Sequence, residues 1–383
     1  MSDLLQFFNA RTSEMVDLLR RLVEFETPSQ DKARVDQLGA FVAVLCRDLG
    51  ADVTVYPRDL IGDLPFAVWN GDAPGQPILI VTHLDTVWPV GTLTTMPIRE
   101  ENGLFYGPGA LDMKAGVVVA LEAIRGLRDR GDLPERPIWI LHNTDEETSS
   151  VYSRDLICEK ARDAGLVLVM EPAAEGEALK VWRKGIARYR IQTTGRASHA
   201  GQAPEAGINA VIEAAHQALY LQSLNDLPNG TSVSVTVMHG GIAVNVIPPE
   251  ATLDVDGRFL KASEAERIDR AIRHLTPHVP GAGVTVVEGG IDRGPMERND
   301  QMIRVVRQAQ AIAKTLGLDL REDGSGGASD GNFTAAMGIP TLDGLGAGGK
   351  GLHAAHEQVE IRTLHRRAAL LAKLLTDWDM DAV

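Results

Sequence analysis

The sequence predicts an α/β protein, a mostly parallel sheet flanked by helices and interrupted by an inserted α+β domain. Three observations predict it. Continuous apolar runs at Ile78-Leu79-Ile80-Val81, Ile138-Trp139-Ile140-Leu141 and Leu166-Val167-Leu168-Val169-Met170 fit strands buried on both faces. Each run ends in polar residues, and helical patterns intervene, which is the order of a doubly wound sheet. From 186 to 287 that order gives way to alternating strands and two helices.

Taken in order, residues 3 to 24 and 35 to 49 place apolar side chains at helical spacing and read as core-packing helices. Val53-Thr54-Val55 and Phe66-Ala67-Val68-Trp69 read as strands, with Asn70-Gly71-Asp72 turning the chain toward Ile78. Lys114 to Arg128 carries Val117, Val118, Leu121, Ile124 and Leu127 on one helical face. The middle of the chain reads strand 186–194, helix 207–221, strands 231–238 and 251–258, helix 263–275 and strand 283–287. That βαββαβ order is the ferredoxin-like sandwich. Helical patterns resume at 299–317 and close the chain at 361–378. The expected domains are therefore 1–180 and 291–383 as two parts of one catalytic domain, with 181–290 inserted.

A chain of 383 residues exceeds one ordinary core, so two domains fit its length. With 38 basic against 52 acidic residues the formal charge is −14, which disfavours nucleic acid and anionic membranes as partners. No window is apolar for long enough to span a bilayer, and no secretory leader pattern opens the chain. Two cysteines, Cys46 and Cys158, fit buried thiols in a reducing compartment, so the cytoplasm is the expected location.

Polar residues just past the carboxyl ends of parallel strands converge on one crevice. His83 with Asp85, Asp112, Glu146 with Glu147, and Glu171 all stand in such places. That many carboxylates in one crevice repel, and divalent cations resolve the repulsion. Imidazole and carboxylate without thiolate fit zinc, with cobalt or manganese as alternatives. Asp85, two residues past His83, is placed to hold the second imidazole nitrogen. Of the adjacent Glu146 and Glu147, one can ligate while the other takes a proton.

The glycine-rich segment from Gly324 to Gly351 offers other readings. Gly344 to Gly349 has dinucleotide spacing but no clear amphipathic helix after it, and Gly344 to Lys350 nearly makes a P-loop, with Gly351 where a hydroxyl is needed. Gly327-Ala328-Ser329-Asp330-Gly331 matches a nucleophile elbow, with Asp343 and His353 in serine-hydrolase order. No long apolar strand precedes Ser329. A flexible loop that delivers a histidine explains the same residues.

Together, His83-Leu84-Asp85-Thr86-Val87, Gly107 to Lys114, Asp145-Glu146-Glu147, Glu171-Pro172, Gly195 to Gly201 and His353 to Glu357 resemble the M20 family of metallopeptidases, with the glutamate carboxypeptidase branch as the nearest likeness. The resemblance implies a zinc-peptidase sheet holding two zinc ions per subunit. It implies His83 and Glu171 on one ion, Glu147 and His353 on the other, and Asp112 bridging. It implies Glu146 as general base, Asp85 behind His83, and an inserted domain that forms homodimers and sends His199 to the partner's site. Asn245 and Arg258 match positions that contact the carboxylate end of a substrate, with pairing to a local acid as the alternative for Arg258; Lys184 is a further candidate to face substrate, with a solvated hinge charge as its alternative. The implied reaction cuts an amide beside a free carboxylate and most simply releases a C-terminal amino acid such as glutamate. Deacylation of N-acyl amino acids and dipeptide cleavage are family alternatives. From other classes stand a serine hydrolase using Ser329 and a non-catalytic metal-binding protein. Two departures bear on the site: His356 stands where relatives carry an acid, which makes it a rival to His353, and Gly257 replaces the usual Val before Arg258.

Overall fold

The computed structural model describes residues 2 to 382. The chain forms two compact units, one of Met1–Trp182, Arg298–Ser325 and Ser329–Val383, the other of Arg183–Glu297 with Gly326–Ala328.

The larger unit is built on a six-stranded sheet. Its order is Asp52–Tyr56, Leu64–Trp69, Ile138–Asn143, Ile78–His83, Leu166–Val169 and Thr341–Leu342. The first two strands pair antiparallel, as do Leu64–Trp69 and Ile138–Asn143; the remaining pairings are parallel. Every residue of Ile78–His83 is buried, because this central strand has a neighbour on each edge and helices on each face. In the register, Ile80 lies opposite both Ile140 and Leu168, and His83 lies opposite Asn143. Parallel pairing therefore brings His83, the turn after Asn143 and the segment after Val169 to one edge of the sheet.

The helix Ala115–Arg130 is apolar on nearly all sides and packs against the closing helix Ile361–Asp377. Gly116 permits its first turn to touch the segment before Glu171, since an added Cβ would stand 2.1 Å from the Met170 carbonyl oxygen. The helical stretch expected over 3 to 24 is two helices, Asp3–Ala10 and Thr12–Val23. The break falls at Arg11, whose guanidinium reaches Glu14, Glu122 and Asp129. Cys46 is buried, Cys158 half-buried, and both are free thiols.

The smaller unit is a four-stranded antiparallel sheet with order Ser232–Gly240, Glu250–Phe259, Gly185–Thr194, Gly283–Arg293. Two helices, Ala210–Ser223 and Ala262–Arg273, pack on it around Tyr189, Ile191, Leu253, Val255, Phe259, Ile268 and Ile272. This is the expected βαββαβ arrangement. Its boundary lies beyond residue 290, because the last strand runs on until Arg293 pairs with Ile186, and Met296 then exchanges backbone hydrogen bonds with Arg183. The Arg183 guanidinium also donates to the carbonyls of Gly327 and Ala328, which joins that short segment to this unit. Among the described residues, no helix is long and apolar enough to cross a membrane.

Candidate metal centre

The centre forms in the larger unit, at the sheet edge where the parallel strands end. His83 closes its strand and is fully buried. Its Nδ1 donates to the Asp85 carbonyl at 3.0 Å and lies 3.5 Å from the Asp85 carboxylate, which turns Nε2 toward the centre as the nitrogen that would ligate once deprotonated. Nε2 faces Asp112 Oδ1 at 3.3 Å and Glu171 Oε1 at 3.6 Å.

Asp85 does more than hold a ring. Its two carboxylate oxygens accept the backbone N–H groups of Glu146 at 3.2 Å and Glu147 at 3.1 Å, and Ser29 Oγ donates to it at 2.7 Å. The short turn Glu146–Thr148 thereby hangs from the same side chain that orients His83. Glu147 Oε2 stands 3.2 Å from His353 Nε2, whose other carboxylate neighbour is Asp112 Oδ2, also at 3.2 Å. One ligand atom each from His83, Asp112 and Glu147 lies within 4.8 Å of the others, and the same holds for His83, Glu146 and Glu171. The two groupings share His83, and His353 adjoins the first of them through Asp112 and Glu147.

Electrostatics follow from this crowding. Burial favours a neutral Asp112, yet the imidazoles of His353 and His83 overcome it and hold the carboxyl well below its ordinary range. His353 is pushed up to about 10 by hydrogen bonds to Asp112 and Glu147. For His83, burial opposes charging, but Asp112 and Asp85 prevail and raise it. Glu147 is raised by burial, with the charges of Asp112 and Asp85 acting the same way against His353.

These residues fit a pair of divalent cations. Four carboxylates, Asp112, Glu146, Glu147 and Glu171, face two imidazoles with Asp85 directly behind, and two imidazolium charges cannot neutralise that set. Glu147 Oε1 is buried and has no hydrogen-bond partner among the described residues, a cost that a ligated ion removes. Nitrogen and oxygen donors without sulfur suit zinc, cobalt or manganese.

Of the two rival histidines, His353 faces the carboxylates and His356 is exposed on the same turn. His353 holds φ at 57°, a left-handed conformation that non-glycine residues adopt only when their surroundings impose it. The serine-hydrolase reading has no geometric support. Ser329 is fully buried and donates directly to Asp343 at 2.5 Å, with no imidazole between them. Asp145, first of the acidic triplet, faces away: it accepts from the Tyr152 N–H at 2.8 Å and from the Ser153 hydroxyl.

Four residues expected near substrate lie in the smaller unit. His199, in a two-residue strand paired with Val246–Ile247, accepts the N–H groups of Gly201 and Gln202 on Nδ1, both at 3.1 Å. Asn245 is exposed, and its carbonyl accepts the Ala200 N–H. Lys184 is half-buried. Arg258 forks onto Asp256 two residues before it, at 2.7 and 2.9 Å, so its guanidinium is shared with a local acid.

Sequence reasoning missed three supports. Ser29 sits in a loop with no motif around it, Trp88 donates its indole N–H to Glu357 at 2.9 Å, and the buried Lys180 ammonium is 4.0 Å from Glu171.

A doubly wound sheet with imidazoles and carboxylates gathered at its strand ends has the layout of a metal-dependent hydrolase. Residues 79 to 377 match the model of the peptidase family M20/M25/M40, and this chain belongs to that family. It is 34% identical over 382 residues to carboxypeptidase G2 of Pseudomonas sp. (strain RS-16), covering 97% of this chain and 91% of that one. It is 27% identical to succinyl-diaminopimelate desuccinylase 2 of Shewanella loihica over 86% of this chain and 91% of that one. A solved Bacillus subtilis structure, described as a dinuclear metal-binding peptidase of the M20 family, superposes with a TM-score of 0.71 at 14% identity, over 98% of this chain and 100% of that chain. The protein is a hydrolytic enzyme of the metallo-carboxypeptidase and amidohydrolase kind.

Proposed function

We propose that this enzyme uses two zinc ions to hydrolyse an amide bond next to a free carboxylate, releasing C-terminal glutamate or a similar amino acid from a peptide or an N-acyl amino acid. The observation that carries the reading is the divided Asp112 carboxylate, with Oδ1 toward His83 and Oδ2 toward His353. His83 and Glu171 would hold one ion, Glu147 and His353 the other, with Asp112 common to both. Such ions supply charge stabilisation at the carbonyl oxygen and a water acidic enough to deprotonate near neutral pH.

Glu146 has its backbone fixed by Asp85 and a carboxylate oxygen within 4.8 Å of ligand atoms of His83 and Glu171. There it takes the proton of the attacking water and passes it to the leaving amine. His199, with Nδ1 occupied by two backbone donors, carries its ring proton on Nε2 and can donate to a developing oxyanion. In this reading it does so from the partner subunit of a homodimer formed through the smaller unit. Exposed apolar side chains on that unit, Leu219, Ile242 and Val244 among them, suit such an interface. Arg258, Asn245 and Lys184 would receive the substrate carboxylate, with Arg258 exchanging Asp256 for it. Two free thiols suit a reducing cytoplasm.

The likeness to carboxypeptidase G2 favours release of a C-terminal amino acid, and the likeness to a succinyl-diaminopimelate desuccinylase favours an N-succinyl diamino acid instead. Metal content measured together with turnover of an N-acyl-glutamate, N-succinyl-diaminopimelate and a dipeptide separates them. The reading expects two zinc ions and the acyl-glutamate as best substrate. Higher kcat/KM on the succinyl compound or the dipeptide rejects the substrate choice.

A further inference from the structure

The side chain that joins the two halves of the metal centre is absent from its ligand set. Glu357 is fully buried, and each of its carboxylate oxygens accepts two hydrogen bonds. Oε1 takes the backbone N–H groups of Leu111 at 2.8 Å and Asp112 at 3.1 Å; Oε2 takes the Gly109 N–H and the Trp88 indole N–H, both at 2.9 Å. Three of these donors belong to the turn that presents Asp112. The fourth comes from the loop that follows His83 and Asp85. Glu357 itself ends the turn that begins at Gly351 and carries His353, closed by Ala354 N–H to Gly351 carbonyl at 2.9 Å and Glu357 N–H to Ala354 carbonyl at 2.8 Å.

A single buried anion thus ties together three loops that carry metal-facing residues. Backbone N–H groups converging on a carboxylate make a strong and directional anchor, because the bonds are charge-assisted and the donors have nowhere else to turn. The two ion positions depend on that anchor unequally. His83 ends a strand buried in the middle of the sheet, and Glu171 follows directly on another. His353 is half-exposed in a loop, at a left-handed φ of 57°, four residues from the anchor.

We propose that Glu357 is a positioning residue that aims Asp112 Oδ2 and His353 Nε2 at a common point, and that it sets the affinity of the ion held by Asp112, Glu147 and His353. The inference rests on the two-ion reading above. Gln keeps the shape of Glu357 but offers one acceptor oxygen and turns an NH2 group toward backbone donors, so E357Q misplaces the turn without emptying the space. Residues that orient ligands in this way typically contribute about 10–100-fold in metal affinity.

Zinc titration of the metal-free full chain, by calorimetry against a competing chelator, tests this without an activity readout. Wild type binds two ions. E357Q loses at least about tenfold in the second ion and markedly less in the first, which keeps His83 and Glu171 on their strands. W88F removes one of the four donors and leaves the carboxylate in place; it weakens the same ion by less, so the test does not hang on E357Q folding. Equal weakening of both ions, or of neither, in E357Q overturns the assignment, as does an unchanged second ion in W88F should E357Q not fold. A wild-type chain that binds fewer than two ions overturns the two-ion reading instead.

Discussion

The Asp85 carboxylate accepts the backbone N–H of Glu147 at 3.1 Å, so the side chain that orients His83 also fixes the opposite wall of the metal centre. Its other oxygen holds Glu146, and Ser29 donates to the pair. Geometry on both sides of the site therefore passes through one buried carboxylate. D85N keeps the shape but replaces one acceptor oxygen with a donor facing backbone N–H. Zinc affinity is expected to fall about 10–100-fold at both ions, read by chelator competition. Loss at one ion alone would separate the two tasks assigned to Asp85.

Glu146 is the only one of the clustered carboxylates assigned a proton rather than an ion. E146Q should retain both metals by elemental analysis and lower kcat by about 10²–10⁴-fold. Near-normal turnover in a metal-replete variant would remove Glu146 from the role of base.

The two histidines of the closing turn are told apart by metal count. H353A removes the imidazole that lies 3.2 Å from both Asp112 and Glu147, and should bind one ion where wild type binds two. H356A, altering an exposed side chain, should bind both. The opposite pattern would reassign the ligand.

Protons compete with metal at this site. Without ions His353 is pushed up to about 10 by its hydrogen bonds to Asp112 and Glu147, and His83 is raised by Asp112 and Asp85, so both rings hold a proton more tightly than a free imidazole does. Binding must expel those protons, and apparent affinity must rise with pH up to that range. Calorimetry in buffers of differing ionisation enthalpy should show net proton release at pH 7; absence of release would contradict the ligand set. The metal-free protein has the reverse dependence. A histidine raised on folding contributes stability that is complete below its unfolded pKa, about 6.5, and that contribution is lost as pH climbs through about 10. Thermal midpoints of the metal-free chain should therefore show a downward contribution from His353 over that window.

His199 carries its ring proton on Nε2, and H199A should lower kcat by about 10²–10³-fold with metal content unchanged. An unaffected kcat would leave the oxyanion without this donor.

The strand tips were legible because continuous apolar runs fit strands buried on both faces, as in a parallel sheet, and parallel strands end together. His83, Glu146, Glu147 and Glu171 follow that grammar; Asp112, expected at a strand end, instead lies in the turn Ala110–Lys114 before a helix, and it and His353 could be named only from the family likeness. The break at Arg11 was not legible, and the acids its guanidinium meets there, Glu122 and Asp129, lie more than a hundred positions away. Ser29, Trp88 and the four hydrogen bonds of Glu357 were hidden for the same reason: a buried acceptor is defined by which backbone donors reach it, and sequence spacing does not record that. Arg258 shows the converse. Its fork suits a substrate carboxylate, but the nearest carboxylate in the fold is its own strand neighbour, Asp256.

The central claim is that two ions share Asp112. Anomalous diffraction at the zinc edge from crystals of the zinc-loaded enzyme tests it most directly. The account predicts two peaks, roughly 3.5–4 Å apart, one beside His83 and Glu171, the other beside Glu147 and His353, with an Asp112 oxygen on each. A single peak, or two peaks that do not share Asp112, would contradict it.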